Sequence, residues 1–242
     1  MLQTIMGQAR RAIDDYNMIE EGDKIAVGLS GGKDSLTLLH ALHYLRNYYP
    51  KKFDILAITI HPGSDTFQTD ELEALCKKLG IEHIVYHSNI TQVVFEIRKE
   101  KNPCSLCANM RRGMLNSIAI EHGCTKIALG HHSDDVMETF LMSLFLNGKI
   151  HTFSPVTYLS RSDVKVIRPF IYVSEKDIRQ TARKLNFPIV SKCCPMDGKS
   201  KREYMKDLIK QLHHDIPKVE ANLLGAIKRS HIQGWNLPDN NQ

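Results

Sequence analysis

Short apolar runs alternate along the chain with stretches whose apolar residues recur at helical spacing. KIAVGLS (24–30) leads into SLTLLHALHYL (35–45), where Leu36, Leu39 and Leu42 form a stripe that Leu38 and Leu45 widen. FDILAITI (53–60) and EHIVYH (82–87) read as strands flanking the helical DELEALCKKLG, and TKIALGH (125–131) precedes the helical DDVMETFLMSLFLNG. KVIRPF (165–170) reads as the last strand, and Ser174 and Asp177 mark the start of a helix in SEKDIRQTARKLN. Strand and helix alternating in this way predict parallel βαβ units, an α/β doubly wound sheet.

No internal repeat or long Pro/Gly-rich linker interrupts this pattern. The expected organisation is a helix over 1–20, a nucleotide-binding domain over 21–194 with a C-x-x-C insertion, and a basic helical extension over 195–242. No run approaches the roughly 18 apolar residues needed to span a bilayer, and the first residues lack a signal peptide's apolar block. A cytoplasmic protein with no membrane partner is expected. The net charge of +5 is too modest to establish nucleic-acid binding by itself.

At the end of the first strand stands Gly28-Leu29-Ser30-Gly31-Gly32-Lys33-Asp34-Ser35. It is neither a Walker loop, which needs four residues between its glycines and Ser/Thr directly after Lys, nor GxGxxG. Physically it is still an anion site. Gly31 and Gly32 let the backbone come close to a phosphate, the next helix directs free N–H groups there, and Lys33 adds positive charge. Ser30 and Ser35 can donate hydroxyl hydrogens, while Asp34 suits a helix cap or a Mg²⁺ bridging phosphates. SGGKDS resembles the signature of the PP-loop ATP-pyrophosphatases. The resemblance implies a five-stranded parallel sheet, and cleavage of ATP between its α and β phosphates with adenylyl transfer to a substrate oxygen.

NPCSLCANMRRG carries Cys104 and Cys107, and a lone C-x-x-C suits half a zinc site, a redox dithiol or an iron–sulfur site. A zinc ribbon would need a second such pair or a spaced histidine pair, and the chain has neither in the usual pattern. Cys76, on the stripe of Leu72, Leu75 and Leu79, and Cys124 read as small buried hydrophobes. Cys193 and Cys194 remain, in an irregular stretch before Pro195, and one of them can be a third ligand. Three cysteines on a four-iron cluster leave one iron without a protein ligand. A dithiol that forms a transient persulfide is the competing reading.

SGGKDS, PCSLCANMRRG, KIALGHHSDD, VIRPF and a late cysteine before a basic helix together resemble the TtcA family, the tRNA 2-thiocytidine synthetases, over most of the chain. That resemblance implies ATP, Mg²⁺ and a [4Fe-4S] cluster held by Cys104, Cys107 and Cys194, with Cys193 as the alternative third ligand. It implies tRNA as partner, with sulfur replacing the C2 oxygen of cytidine at anticodon-loop position 32. It also implies a sulfur donor such as sulfide or a cysteine desulfurase, and a homodimer. Adenine is expected beside Leu29 and Ile60 and the phosphates on Ser30 to Ser35, with Gly130 and His131 completing the nucleotide site. Lys33 and Asp135 join the cysteines as candidate catalytic residues. Arg111, Arg112 and the basic tail are candidates for phosphate contact. A persulfide-using thiolase, or a 2-thiouridine-type enzyme acting on another base, is the alternative.

Overall fold

A computed structural model describes residues 2–64, 66–98, 103–190 and 201–237. The predicted strands lie side by side as β1 (Asp23–Gly28), β2 (Phe53–His61), β3 (Glu82–His87), β4 (Lys126–Ala128) and β6 (Val164–Ile167). The sheet order is β3-β2-β1-β4-β6-β5, and every pairing is parallel except that of β5 (Val156–Leu159) with β6. The expected five parallel strands are present, and β5 corrects the count to six. β5 escapes the hydrophobic pattern because it is four residues long and partly exposed at the sheet edge, where no continuous apolar run is required.

Alternation along the central strands supplies two cores. Ile25 and Val27 of β1 with Ile55 and Ala57 of β2 face one cluster, whereas Ala26, Leu56 and Ile58 face the other. On the first side lie α1 (Leu2–Asp15), α2 (Lys33–Leu45) and α6 (Glu175–Lys184); on the second lies α4 (Pro103–Glu121), through Leu115, Ile118 and Ala119. Residues Ser35 to Leu42 of α2 are all buried, which explains a helix apolar on nearly every side. α3 (Asp70–Leu79) covers β3 and buries Cys76 with Leu72, as its stripe predicts.

The C-terminal stretch folds as α7 (Lys201–Asp215) and α8 (Val219–Arg229), packed on α5 (Ser133–Asn147). Trp235 is completely buried against Tyr16 in the main core, and its indole N–H donates to the Phe153 carbonyl at 3.1 Å. No helix among the described residues is long and apolar enough to cross a membrane. The chain runs outward from β1 to β2 and β3, then returns to β4 on the other side of β1. This reversal opens a crevice at the carboxyl ends of β1 and β4, where open α/β sheets bind ligands.

Candidate active site

Both glycine-containing segments singled out in the sequence meet in that crevice. Gly31 adopts φ +75°, a left-handed conformation that favours glycine, and a Cβ there would stand 2.5 Å from Cγ2 of Val190. Gly130, after β4, would bring a Cβ within 3.0 Å of the Asp34 backbone, so the two loops can touch only because that side chain is absent. The Ser30 and Ser35 hydroxyls lie 3.1 Å apart, and Ser35 donates to the Gly32 carbonyl at 3.0 Å. Together they hold the turn so that the N-terminal amides of α2 face the crevice without helical partners.

A cavity of about 400 Å³ opens there. Leu29, Ile58, Ile60, Phe67, Leu115 and Leu129 supply apolar lining, suited to a planar base. Ser30, Asp34, Ser35, Gly130, His131 and Asp135 add the expected polar wall. The third side comes from α4, through Ala108, Arg111 and Arg112. Three buried polar atoms of lining residues lack a hydrogen-bond partner: Asp34 Oδ1, Arg111 Nε and His131 Nδ1. Such atoms are costly to bury unpaired, and they fit a polar ligand carrying both acceptors and donors. Asp34 Oδ1, which accepts no hydrogen bond and has the His132 ring 3.8 Å away, suits Mg²⁺, which takes one or two carboxylates and completes its shell with phosphates and water.

Lys33 does not line this cavity. Its ammonium lies 3.1 Å from Asp34 Oδ2 and 3.1 Å from Glu175 Oε1. Glu175, the first residue of α6, is also held by Lys206 at 2.9 Å and Arg179 at 3.1 Å. Burial opposes its charge, but Lys206 and Lys33 outweigh that and bring its carboxyl down to about 2. Nothing in the sequence marked Glu175 beyond its place after the cap Ser174, whose side chain accepts from the Asp177 amide as predicted.

GHHSDD builds the start of α5. The His132 amide donates to Asp135 Oδ2 at 3.0 Å and the Asp135 amide to His132 Nδ1 at 3.4 Å, a reciprocal cap. Asp135 Oδ1 accepts from Arg202 of α7 at 3.0 Å. Arg202 also donates to the buried Glu138 at 3.1 Å. Burial and the neighbouring Asp135 carboxylate push Glu138 up to about 7 despite Arg202. Burial keeps His131 neutral, lowered to about 4, whereas His132 is raised because Asp134, Asp135 and Asp34 outweigh its burial. Asp134 turns away from the cavity to accept from the Glu175 amide at 2.8 Å.

Of the cysteines, Cys107 is half-buried in the first turns of α4, and position 104 lies in the same helix one turn before Ala108. Cys193 and Cys194 lie outside the described residues. Both flanks of their segment are anchored at the crevice: the Val190 amide donates to the Gly31 carbonyl at 3.0 Å, and Arg202 reaches Asp135. Phe67 and Leu115 are lining residues that the sequence reading missed. Leu115 could have been found by extending the helical stripe 104, 108, 111, 115 from the first cysteine.

Comparison with known proteins agrees with this geometry. The PP-loop domain family matches residues 2–212. A tRNA-cytidine(32) 2-sulfurtransferase of Geobacter metallireducens is 43% identical over 95% of this chain and 90% of its own length. The enzyme of that name in Pseudomonas entomophila is 40% identical, covering 96% of this chain and 86% of its own. Among solved structures, the U34-tRNA thiolase NcsA of Methanococcus maripaludis, with its [4Fe-4S] cluster, superposes with TM-score 0.75 at 26% identity, over 95% of this chain and 80% of that one. The loop after β1, the crevice at the strand reversal and these relatives converge, and the chain belongs to the PP-loop family, in its tRNA-cytidine(32) 2-sulfurtransferase branch.

Proposed function

We propose that this chain is an ATP-dependent tRNA sulfurtransferase of the cytoplasm that replaces the C2 oxygen of cytidine 32 with sulfur. One observation carries the reading. The α4 helix that bears Cys104 and Cys107 in its first turns forms, through Ala108, Arg111 and Leu115, a wall of the cavity at the PP-loop. The helix that carries the cysteines and the nucleotide loop therefore line the same cavity.

Adenine rests among Leu29, Ile60 and Phe67, and the phosphates lie on Ser30 to Ser35 at the α2 N-terminus, where Asp34 would hold Mg²⁺. Lys33 exchanges its contact with Glu175 for phosphate. The C2 oxygen of the base attacks the α-phosphorus, the bond to the β-phosphate breaks, and pyrophosphate leaves. A sulfur nucleophile then adds at C2, and AMP leaves with the oxygen. Arg111, with its unpaired buried Nε, stabilises the negative charge developing on the α-phosphate, and neutral His131 orients the base or the phosphate with its open ring nitrogen. Asp135, held by the His132 amide and Arg202, keeps these groups in register. Reaching C2 requires a splayed base, which loop nucleotides permit more cheaply than a duplex.

Cys104, Cys107 and Cys194, or Cys193 in its place, fit a [4Fe-4S] cluster by their thiolate chemistry, and Val190 and Arg202 anchor the late pair's segment beside the loop. When bound, such a cluster would be held by these thiolates and would supply the iron chemistry that delivers sulfide-level sulfur. Sulfide supplies that sulfur directly, whereas a cysteine desulfurase supplies it as a persulfide that a two-electron reductant, such as a thiol pair, must first convert to sulfide. The reading includes a homodimer, for which Leu144, Phe145, Leu146 and Ile150 offer exposed apolar surface after the buried part of α5.

The test is anaerobic reconstitution with iron and sulfide, followed by incubation with ATP, sulfide and unmodified tRNA. Mass spectrometry of the nucleosides should find 2-thiocytidine, with AMP and pyrophosphate released in step. Cys104→Ser and Cys107→Ser should lose bound iron and at least about 100-fold in rate, while retaining affinity for an ATP analogue. Thiolation by a protein that keeps no iron would replace the cluster reading with a persulfide.

A further inference from the structure

A second cavity of about 340 Å³ lies between α6 and α7, on the other side of the α5 cap from the nucleotide site. Its walls carry basic residues at helical spacing: Lys176, Arg179 and Arg183 on α6 face Lys206 and Lys210 on α7, and Lys210 is paired with Asp207 at 2.8 Å. The α6 stripe runs about 10 Å along the helix axis, the length over which one strand of a duplex carries about three phosphates.

The carboxylates in this groove are already engaged. Asp134 accepts from the Glu175 amide, Glu138 from Arg202, and Glu220 lies 2.7 Å from His213. Glu175, held by Lys33, Arg179 and Lys206, marks a point where cations converge on an anion. Lys176 and Arg183 are exposed and have no ionic partner among the described residues.

We propose that the groove between α6 and α7 docks the phosphate backbone of the tRNA next to its modified nucleotide. This deepens the sulfurtransferase reading and rests on it. With the backbone in the groove, the target base is displayed across the start of α5 toward the nucleotide cavity. Lys176 and Arg183 bind phosphate directly, and Arg179 and Lys206 are shared with Glu175.

The test is salt-dependent binding of a full tRNA transcript to the reconstituted protein and to its Lys176→Ala, Arg183→Ala double variant. Both side chains are exposed, so the fold should survive, with an unchanged melting temperature and affinity for an ATP analogue as checks. Loss of two phosphate contacts should weaken tRNA binding about tenfold or more and make the slope of log affinity against log salt shallower by about 1.5. KM for tRNA should rise with kcat unchanged. Lys77→Ala, Lys78→Ala on α3, an equal change of charge elsewhere, should leave the slope alone. An unchanged slope in the α6 variant overturns the proposal. Wild-type protein that binds no tRNA would instead refute the sulfurtransferase reading itself.

Discussion

Glu138 exposes only 5% of its side chain and sits between Asp135 and Arg202. With a folded pKa of about 7 against 4.5 for the free group, it keeps its proton in the fold after the unfolded chain has lost it. Unfolding therefore releases a proton in that window, and the contribution to stability, full below about 4.5, is lost as pH rises through about 7. The shift corresponds to about 3 kcal/mol at most. Glu138→Gln removes the titration, so the variant should gain on wild type by up to that amount between about pH 5 and about pH 8, read from urea midpoints at each. A constant difference across the range would show that Arg202 holds Glu138 ionised throughout. At Gly31 the demand is steric. Gly31→Ala would add about 1–2 kcal/mol of left-handed backbone strain and set its Cβ against Val190. Affinity for an ATP analogue should fall at least tenfold by calorimetry. Val190→Ala in the same chain should restore part of the loss, since it removes the clash and leaves the strain.

Among the elements, those with strong periodic patterns were the legible ones. The strands paired in parallel appear as apolar runs because most are covered on both faces, and α6 announced its start through Ser174 and Asp177. β5 was not legible, because an edge strand of four partly exposed residues needs no pattern of its own. Nor was the π-helical stretch Gln92–Ile97 before α4, whose residues would pass for an ordinary helix. The site was legible where the chain itself is constrained. Gly31 and Gly130 are glycines because two loops and Val190 meet there, and the serines hold the turn. What could not be read was the partner of each charge. Lys33 looked like a phosphate ligand, and its salt bridge to Glu175 depends on α6 lying beside α2, a long-range contact that no local pattern records. The Arg202 contact with Asp135 and Glu138 is similar, since it joins residues more than sixty positions apart.

Across the whole molecule the sheet separates function from stability by its two ends. Its carboxyl end carries buried polar atoms that make no hydrogen bond among the described residues, whereas its amino end holds a paired ionic cluster around the buried Lys126 and Asp23. There Lys126, with 2% of its side chain exposed, bonds Asp23 at 2.7 Å and Glu20 at 3.1 Å, and Thr125 donates to Asp23 at 2.6 Å. Burial opposes the Asp23 charge, but the Lys126 and Thr125 bonds outweigh it and hold the carboxyl below its usual range. The cluster ties β1 to β4, the two strands that flank the crevice. Lys126→Met keeps the volume and strands a buried carboxylate, so it should cost about 3 kcal/mol. The urea midpoint should fall with an unchanged slope. Adding Asp23→Asn removes the stranded charge and should recover part of the loss, because a buried pair replaced as a whole costs far less than one broken. Affinity for an ATP analogue, measured where each variant remains folded, should match wild type, since the nucleotide loops lie beyond the opposite ends of these strands. A parallel loss of nucleotide affinity would mean that the crevice depends on how β1 and β4 are tied at their far ends, and that the two ends of the sheet act as one unit.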